Sequence, residues 1–509
     1  MNRLTKRLLT TLLALTVSVT ALAQEKKEEK KEPEKAKPAL EDKSSKSTHT
    51  VRIGGQPLTY TATAGNLVLR DEEGKARASL FYIAYTRDGV TDPSKRPITF
   101  SFNGGPGSSS VWLHLGVLGP RRVLMDEIGN ALQPPYKLVD NEFSILDETD
   151  LVFIDPVTTG YSRAAEKEKE KEFHGFRADI ESVGEFIRLY TTRTNRWASP
   201  KFLIGESYGT TRAAGVVNFL QDRYGMYFNG VMLVSSILNF GTARFDTGND
   251  LPHILFLPTY TATAWYHKQL PPDLQSRELR SVLDEVEAFA AGEYTLALMK
   301  GNNLSEAEKK SLARKLARYT GLTPDYIERT NHRIEIGRFV KELRRDERIT
   351  VGRLDSRFTG VDRDAAGERY EFDPSYAVIQ GPFTGAFLSY IRGELKYESD
   401  LPYEILTGRV QPWSYKEFEG RYVNVSEDLR RAMSQNPHLQ VYVANGYYDL
   451  ATPYFATEYT FDHVGHDDSY KKRVTMTYYE AGHMMYIHMP SLRQQKNDLA
   501  AFIRKSVPR

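Results

Sequence analysis

The chain of 509 residues contains no cysteine. That absence excludes disulfides, a thiolate nucleophile and cysteine-ligated zinc together, so stability has to come from packing. It also excludes anchoring through a lipid-modified cysteine. Long apolar runs are scarce. Beyond the first residues no stretch approaches the ~20 apolar residues that cross a bilayer, so no membrane anchor is expected. An excess of one charge is lacking too: 68 Lys and Arg stand against 66 Asp and Glu, a net +2 with no single-sign face, and no nucleic acid partner is implied. Neither His-Glu-x-x-His nor recognisable ligand spacing occurs among the histidines, so neither a metal nor another cofactor is expected.

What is present starts with Arg3, Lys6 and Arg7 ahead of the apolar run Leu8 to Val19, followed by Ala21-Leu22-Ala23, with small residues where a signal peptidase reads. Residues 1–23 are expected to be a secretory signal cleaved before Gln24, which makes the mature protein secreted or periplasmic. Residues 24–48 are mainly Lys, Glu, Pro, Ala and Ser. They hold too little apolar surface to offset the entropy of ordering and read as a disordered charged linker.

From His49 onward short apolar and aromatic segments such as Leu67–Leu69, Ala78–Tyr85 and Pro97–Phe102 read as strands, the first of them antiparallel. Leu151–Asp155, a helical pattern from Phe176 to Tyr190, the strand Lys201–Ile204, a helix from Thr210 to about Arg223 and the strand Gly230–Ser235 then alternate. Alternation of this kind gives an α/β fold with a mostly parallel central sheet covered on both faces. Residues 49–239 form the first part of this core. Residues 240–436 are mainly helical, with a capping box at Ser305-x-x-Glu308, a stop at Gly321 and a new start at Thr323-Pro324, and read as an inserted cap. Residues 437–509 return to the core through the strands Leu439–Gly446 and Arg473–Tyr479 and a terminal helix near Leu499 to Ile503.

The chain is organised around Gly205-Glu206-Ser207-Tyr208-Gly209, which joins a strand to a helix. A turn this sharp leaves no room for side chains at its outer positions and lifts the serine hydroxyl above the sheet edge, as in a nucleophile elbow. A weak nucleophile at neutral pH, serine needs a base, and the base needs an anion that fixes its tautomer. Asp449 and His483 follow predicted strands in that chain order. His463, His466 and His488, with Asp462, Asp467 and Asp468, are rivals, but they lie in polar sequence with no preceding strand. The glycine-rich loop Asn103-Gly104-Gly105-Pro106-Gly107 after a strand could cradle phosphate or supply an N–H to an oxyanion. It lacks the Lys-Ser/Thr of a P-loop, and with Ser207 on a neighbouring strand the oxyanion is favoured, with Gly105 and Tyr208 as the N–H donors.

Phe102 to Ser110, Gly119-Pro120, Asp155-Pro156 through Gly160-Tyr161-Ser162, the Ser207 elbow and Ala481-Gly482-His483-Met484 together resemble the serine carboxypeptidase family of α/β-hydrolases. The resemblance implies Ser207, Asp449 and His483 as a catalytic triad and peptides with a free C-terminus as substrates. It further implies that Asn103, Gly104 and Glu206 hold the substrate's terminal carboxylate, for which a protonated glutamate donates a hydrogen bond. The chain departs from the family in carrying Val117 where a second glutamate usually stands. Without a proton-sharing partner Glu206 is expected to ionise more easily, giving altered carboxylate recognition and a less acidic optimum, with help from Arg121 or Arg122. An esterase or acyltransferase on the same scaffold, or a catalytically silent peptide-binding homologue, are the alternative functions.

Overall fold

The computed structural model describes residues 40–507 apart from His466, so the expected signal segment and linker residues 24–39 lie outside the described residues. Order begins before the expected linker boundary at residue 48. Lys43–Ile53 is a strand, β1, paired antiparallel along its length with β2, Gln56–Arg70. Only Val51 and Ile53 of β1 are buried. Pairing of its backbone to a neighbour orders the remaining polar residues, a source of order that the composition of one segment does not report.

Further strands are β3 (Ala76–Arg87), β4 (Ile98–Phe102), β5 (Asp150–Ile154), β6 (Lys201–Glu206), β7 (Gly230–Val234), β8 (Gln440–Gly446) and β9 (Val474–Tyr479). They lie in the order β1-β2-β3-β5-β4-β6-β7-β8-β9. Pairing is antiparallel from β1 through β3 to β5, and parallel from β5 across to β9. Every residue of β4, β5, β6 and β7 is buried, which is why β5, β6 and β7 carry apolar runs such as Leu151–Ile154, Phe202–Ile204 and Val231–Val234.

Helices cover both faces. Leu203 of β6 joins the apolar cluster of helices α1 (Phe176–Arg193) and α2 (Tyr208–Tyr224), whereas its neighbours Phe202 and Ile204 face Leu499 and Phe502 of the terminal helix. The chain leaves β4 toward β5 on one side and returns to β6 on the other. A crevice opens at such a reversal above the carboxyl ends of the two strands, and here those ends carry the glycine-rich loop and Ser207.

Between β7 and β8 the chain is mostly helical. Leu251–Tyr266, α3, begins a separate apolar cluster that includes Leu312 and Leu316 of the helix Glu306–Thr320, which is started by the reciprocal Ser305 and Glu308 capping box and stopped by left-handed Gly321. The insertion does not stand apart as one body. Ile379, Phe383, Phe387 and Tyr390 of α4 (Pro374–Gly393) pack with Trp112 and Leu113 in the main core, and from Leu40 onward the chain forms one compact unit. The chain ends in α5, Met489–Ser506. Among the described residues no helix is long and apolar enough to cross a membrane.

Candidate active site

Ser207 stands between β6 and α2 with φ 60° and ψ −130°, a conformation that costs about 1–3 kcal/mol outside glycine. Its surroundings hold it there. Ser207 N donates to Val234 O at 3.0 Å, and both the backbone N–H and the hydroxyl of Thr210 donate to Ser207 O, at 2.8 and 2.7 Å. A Cβ on Gly205 would lie 2.1 Å from Gly209 O, and one on Gly209 would lie 2.8 Å from Phe102 O. Both outer positions of the elbow are therefore restricted to glycine by backbone approaching backbone.

His483 lines the same cavity as Ser207, and Asp449 is bonded to His483 without lining that cavity. Fully buried, Asp449 accepts from Ala451 N (2.8 Å) and Thr452 N (3.0 Å) on one oxygen and from the Thr452 hydroxyl (2.6 Å) on the other. That second oxygen also accepts from His483 Nδ1 at 2.7 Å, which leaves Nε2 as the free nitrogen of the ring. Burial lowers the basicity of His483, but the Asp449 carboxylate, aided by the charge of Glu206, outweighs it and holds the pKa above the usual histidine value. Ser207 and His483 line one cavity of about 520 Å³, and among the described residues the Ser207 hydroxyl forms no hydrogen bond. Such contacts often tighten only when substrate binds.

A short segment of the insertion is stitched between the two loops that carry Asp449 and His483. Arg353 O accepts from Leu450 N (3.1 Å) and Ser356 N donates to Tyr448 O (3.0 Å), which holds the Asp449 loop. Leu354 O accepts from His483 N at 2.7 Å and Asp355 Oδ2 from Gly482 N at 3.0 Å, which holds the His483 loop. Asp355 is itself fixed by the Nε and Nη2 of buried Arg357 at 2.9 and 2.7 Å.

The rival residues lie elsewhere. His463 bonds Tyr459 O, His488 bonds the Ser491 hydroxyl, and Asp467 caps a short helix through Ser469 N; none of them lines the Ser207 cavity. Asp462, Asp467 and Asp468 border a separate open depression beside β9, and His466 lies outside the described residues.

On the other side of the crevice a Cβ on Gly104 would sit 2.4 Å from Tyr208 N, so the loop after β4 lies directly against the start of α2. The N–H groups of Gly105, at φ 101°, and Tyr208 have no acceptor among the described residues. Free N–H groups on a loop packed against a helix N-terminus suit a developing oxyanion. The loop is anchored from behind by Arg212, a residue the sequence did not single out. Its guanidinium is fully buried, donates through Nε to Asp179 Oδ2 at 2.7 Å and through Nη1 to Asn103 O, and lies over the Phe102 and Tyr208 rings.

Glu206, next to Ser207, also lines the cavity. Asn103 Nδ2 donates to its Oε1 at 3.0 Å, and the hydroxyl of Tyr486, another residue missed in the sequence, donates to its Oε2 at 2.6 Å. Gly116 makes this possible, since a Cβ there would fall 2.2 Å from the Tyr486 ring. Val117 is buried in the core and does not line the cavity. Among the described residues no second acid bonds Glu206. Burial pushes its pKa up to about 7, although the charge of His483 and the bonds from Tyr486 and Asn103 pull the other way. Arg121 and Arg122 do not help here: neither lines the cavity, and Arg121 pairs with Asp140 and Glu394.

The family model for serine carboxypeptidases matches residues 55–504. The pheromone-processing carboxypeptidase KEX1 of Saccharomyces cerevisiae is 34% identical over 156 residues, covering 28% of this chain and 20% of the relative. Serine carboxypeptidase-like 34 of Arabidopsis thaliana is 29% identical over 161 residues, covering 30% of this chain and 29% of the relative. The matched segment thus spans about a fifth to a third of the length of these curated relatives. The crystal structure of the prohormone-processing carboxypeptidase from Saccharomyces cerevisiae superposes with a TM-score of 0.56 at 16% identity, over 88% of this chain and 92% of that one. At that identity the likeness concerns the fold, which is the α/β-hydrolase fold.

Proposed function

Because the chain belongs to the serine carboxypeptidase family, we propose that it releases the C-terminal residue of peptides through an acyl-enzyme on Ser207. Ser207 Oγ attacks the carbonyl carbon of the penultimate residue while its proton passes to His483 Nε2, and Asp449 stabilises the imidazolium that results. The carbonyl oxygen takes up the negative charge against the N–H groups of Gly105 and Tyr208. His483 then gives the proton to the nitrogen of the last residue, the C–N bond breaks, and that residue leaves as a free amino acid. Water attacks the ester with its proton going to His483, and return of the proton to Ser207 Oγ frees the shortened peptide.

The observation that carries this reading is the juxtaposition of Glu206, Asn103 and Gly104 with Ser207 in a single cavity. A triad alone serves any acyl transfer. A buried carboxylic acid that keeps its proton up to about pH 7 can donate to a second carboxylate, and this favours peptides with a free terminus over simple esters. The proposal includes export, with the mature chain starting at Gln24 in a secreted or periplasmic protein. Mass spectrometry of a peptide mixture, incubated in parallel with the Ser207→Ala variant, tests the reaction. Stepwise loss from the C-terminus is expected with the unaltered protein alone, and C-terminal amides should resist. Equal turnover of free acids, amides and esters would point instead to an esterase or acyltransferase, and a Ser207 that no fluorophosphonate labels would point to a silent binding protein.

A further inference from the structure

The cavity that holds Ser207 contains a cation without a partner. Arg353 lines it and is partly buried, yet among the described residues its guanidinium forms no ion pair and no hydrogen bond. Asp373, an acid that lines the same cavity, is otherwise occupied. It caps α4, with Oδ1 accepting from Ser375 N (3.0 Å), the Ser375 hydroxyl and Arg353 N (3.0 Å), and Oδ2 from Leu354 N (3.2 Å). Asp373 accepts the backbone N–H of Arg353 and forms no ion pair with its guanidinium. Of the other charged groups in the cavity, Glu206 is taken by Asn103 and Tyr486, and Arg244 is an exposed second cation lying over the Phe240 ring.

The position of Arg353 gives its charge a direction. Leu354, the next residue, accepts the backbone N–H of His483, so Arg353 stands on the His483 side of the cavity, and its charge acts on His483 and on the Tyr370 phenol. On the proposed reaction this is the side of the leaving residue, whose nitrogen has to meet His483 Nε2 while its α-carboxylate reaches Asn103 and Glu206. Leaving a partly desolvated guanidinium unpaired is unfavourable, and an anion entering beside it gains a charge-assisted hydrogen bond.

We infer that Arg353 recognises the side chain of the substrate's last residue and selects peptides that end in glutamate or aspartate. This rests on the carboxypeptidase reading. It is tested with N-blocked dipeptides that share phenylalanine as the penultimate residue and end in Glu, Gln or Lys. Glu and Gln are close in shape, so their kcat/KM ratio isolates charge. The unaltered protein is expected to favour Glu over Gln by about 10- to 100-fold, the range of a hydrogen bond to a charged group, and the ratio should shrink as salt is added. Arg353→Ala should bring the ratio near one, and Arg353→Glu should turn the preference toward the peptide ending in Lys. Because the Arg353 side chain holds nothing in the fold, these variants should keep the circular dichroism and melting behaviour of the parent.

Equal rates on the Glu and Gln peptides with the unaltered protein would overturn the assignment while leaving the carboxypeptidase reading intact. A preference for acid at the penultimate position instead would overturn it as well. So would an Arg353→Ala variant that stops distinguishing free acids from amides whatever the last residue, since the guanidinium would then be a clamp for the terminal carboxylate. Failure to release a C-terminal residue from any peptide would remove the underlying reading and this one with it.

Discussion

Replacing Tyr486 by phenylalanine should move the alkaline limb of peptide cleavage upward. The hydroxyl lies 2.6 Å from Glu206 Oε2 in a site where Tyr486 is only 1% exposed, so no water is expected to replace it without strain. A hydrogen bond to an ionised group is worth about 1.5–3 kcal/mol and one to a neutral group about 0.5–1.5 kcal/mol. The difference, roughly 1–1.5 kcal/mol, favours the ionised glutamate and corresponds to about one pH unit. Tyr486 therefore restrains a pKa that burial has driven up to about 7, and its removal lets that pKa rise further. Recognition of a carboxylate requires protonated Glu206, so activity falls as pH rises through this value. The assay is kcat/KM against pH for a free-acid dipeptide and for an ester without a carboxylate. Tyr486→Phe should extend cleavage of the acid by about one pH unit on the alkaline side, most of it through KM, while the ester shows only the acid limb set by protonation of His483. An alkaline limb that stays in place in the variant, or that appears equally with the ester, would refute the reasoning.

Two further outcomes follow from the same geometry. Glu206→Gln removes a group whose pKa is raised from 4.5 to about 7 on folding, so ionising it costs stability that is intact below pH 4.5 and lost as pH rises through 7. Urea unfolding should find this variant more stable than its parent by roughly 3 kcal/mol at pH 8, at about 1.4 kcal/mol per unit, with little of that gain left at pH 4; a gain that does not depend on pH would contradict it. Asp355→Ala leaves Arg357 buried without its partner and frees Gly482 N, for an expected loss of about 3–5 kcal/mol, and kcat should drop by about 10- to 100-fold as His483 shifts. A folded variant with unchanged kcat would show that the Asp355 contact does not set the position of the imidazole.

Legibility from the sequence followed the range of the interaction. The strands of the parallel sheet were readable because burial on both faces leaves continuous apolar runs such as Phe202-Leu203-Ile204, and the elbow because backbone contact at Gly205 and Gly209 admits no other residue. The capping box at Ser305 and Glu308 was readable for the same local reason. β1 was missed because its Ser, Thr and Lys residues owe their order to a partner strand rather than to their own burial. Tyr486 carried no signal, since its contact with Glu206 spans 280 residues and depends on the space left at Gly116. How readily Glu206 ionises was only half legible, because a missing partner acid is visible in a sequence and the depth of burial is not. α4 looked like part of a cap, although its apolar face belongs to the main core, because periodicity reports that a helix has a buried side and not what lies against it.

The strip from Arg353 to Ser356 lines the Ser207 cavity, where Arg353 is proposed to meet the substrate's last residue, and ties down two loops through its backbone and Asp355. In a protein built this way, taste and speed share a single stretch of backbone. Grafting the insertion of a relative to obtain a new diet would also reset the alignment of acid and base, so exchanges at individual side chains such as Arg353 are the open route to new selectivity, and wholesale swaps are the closed one.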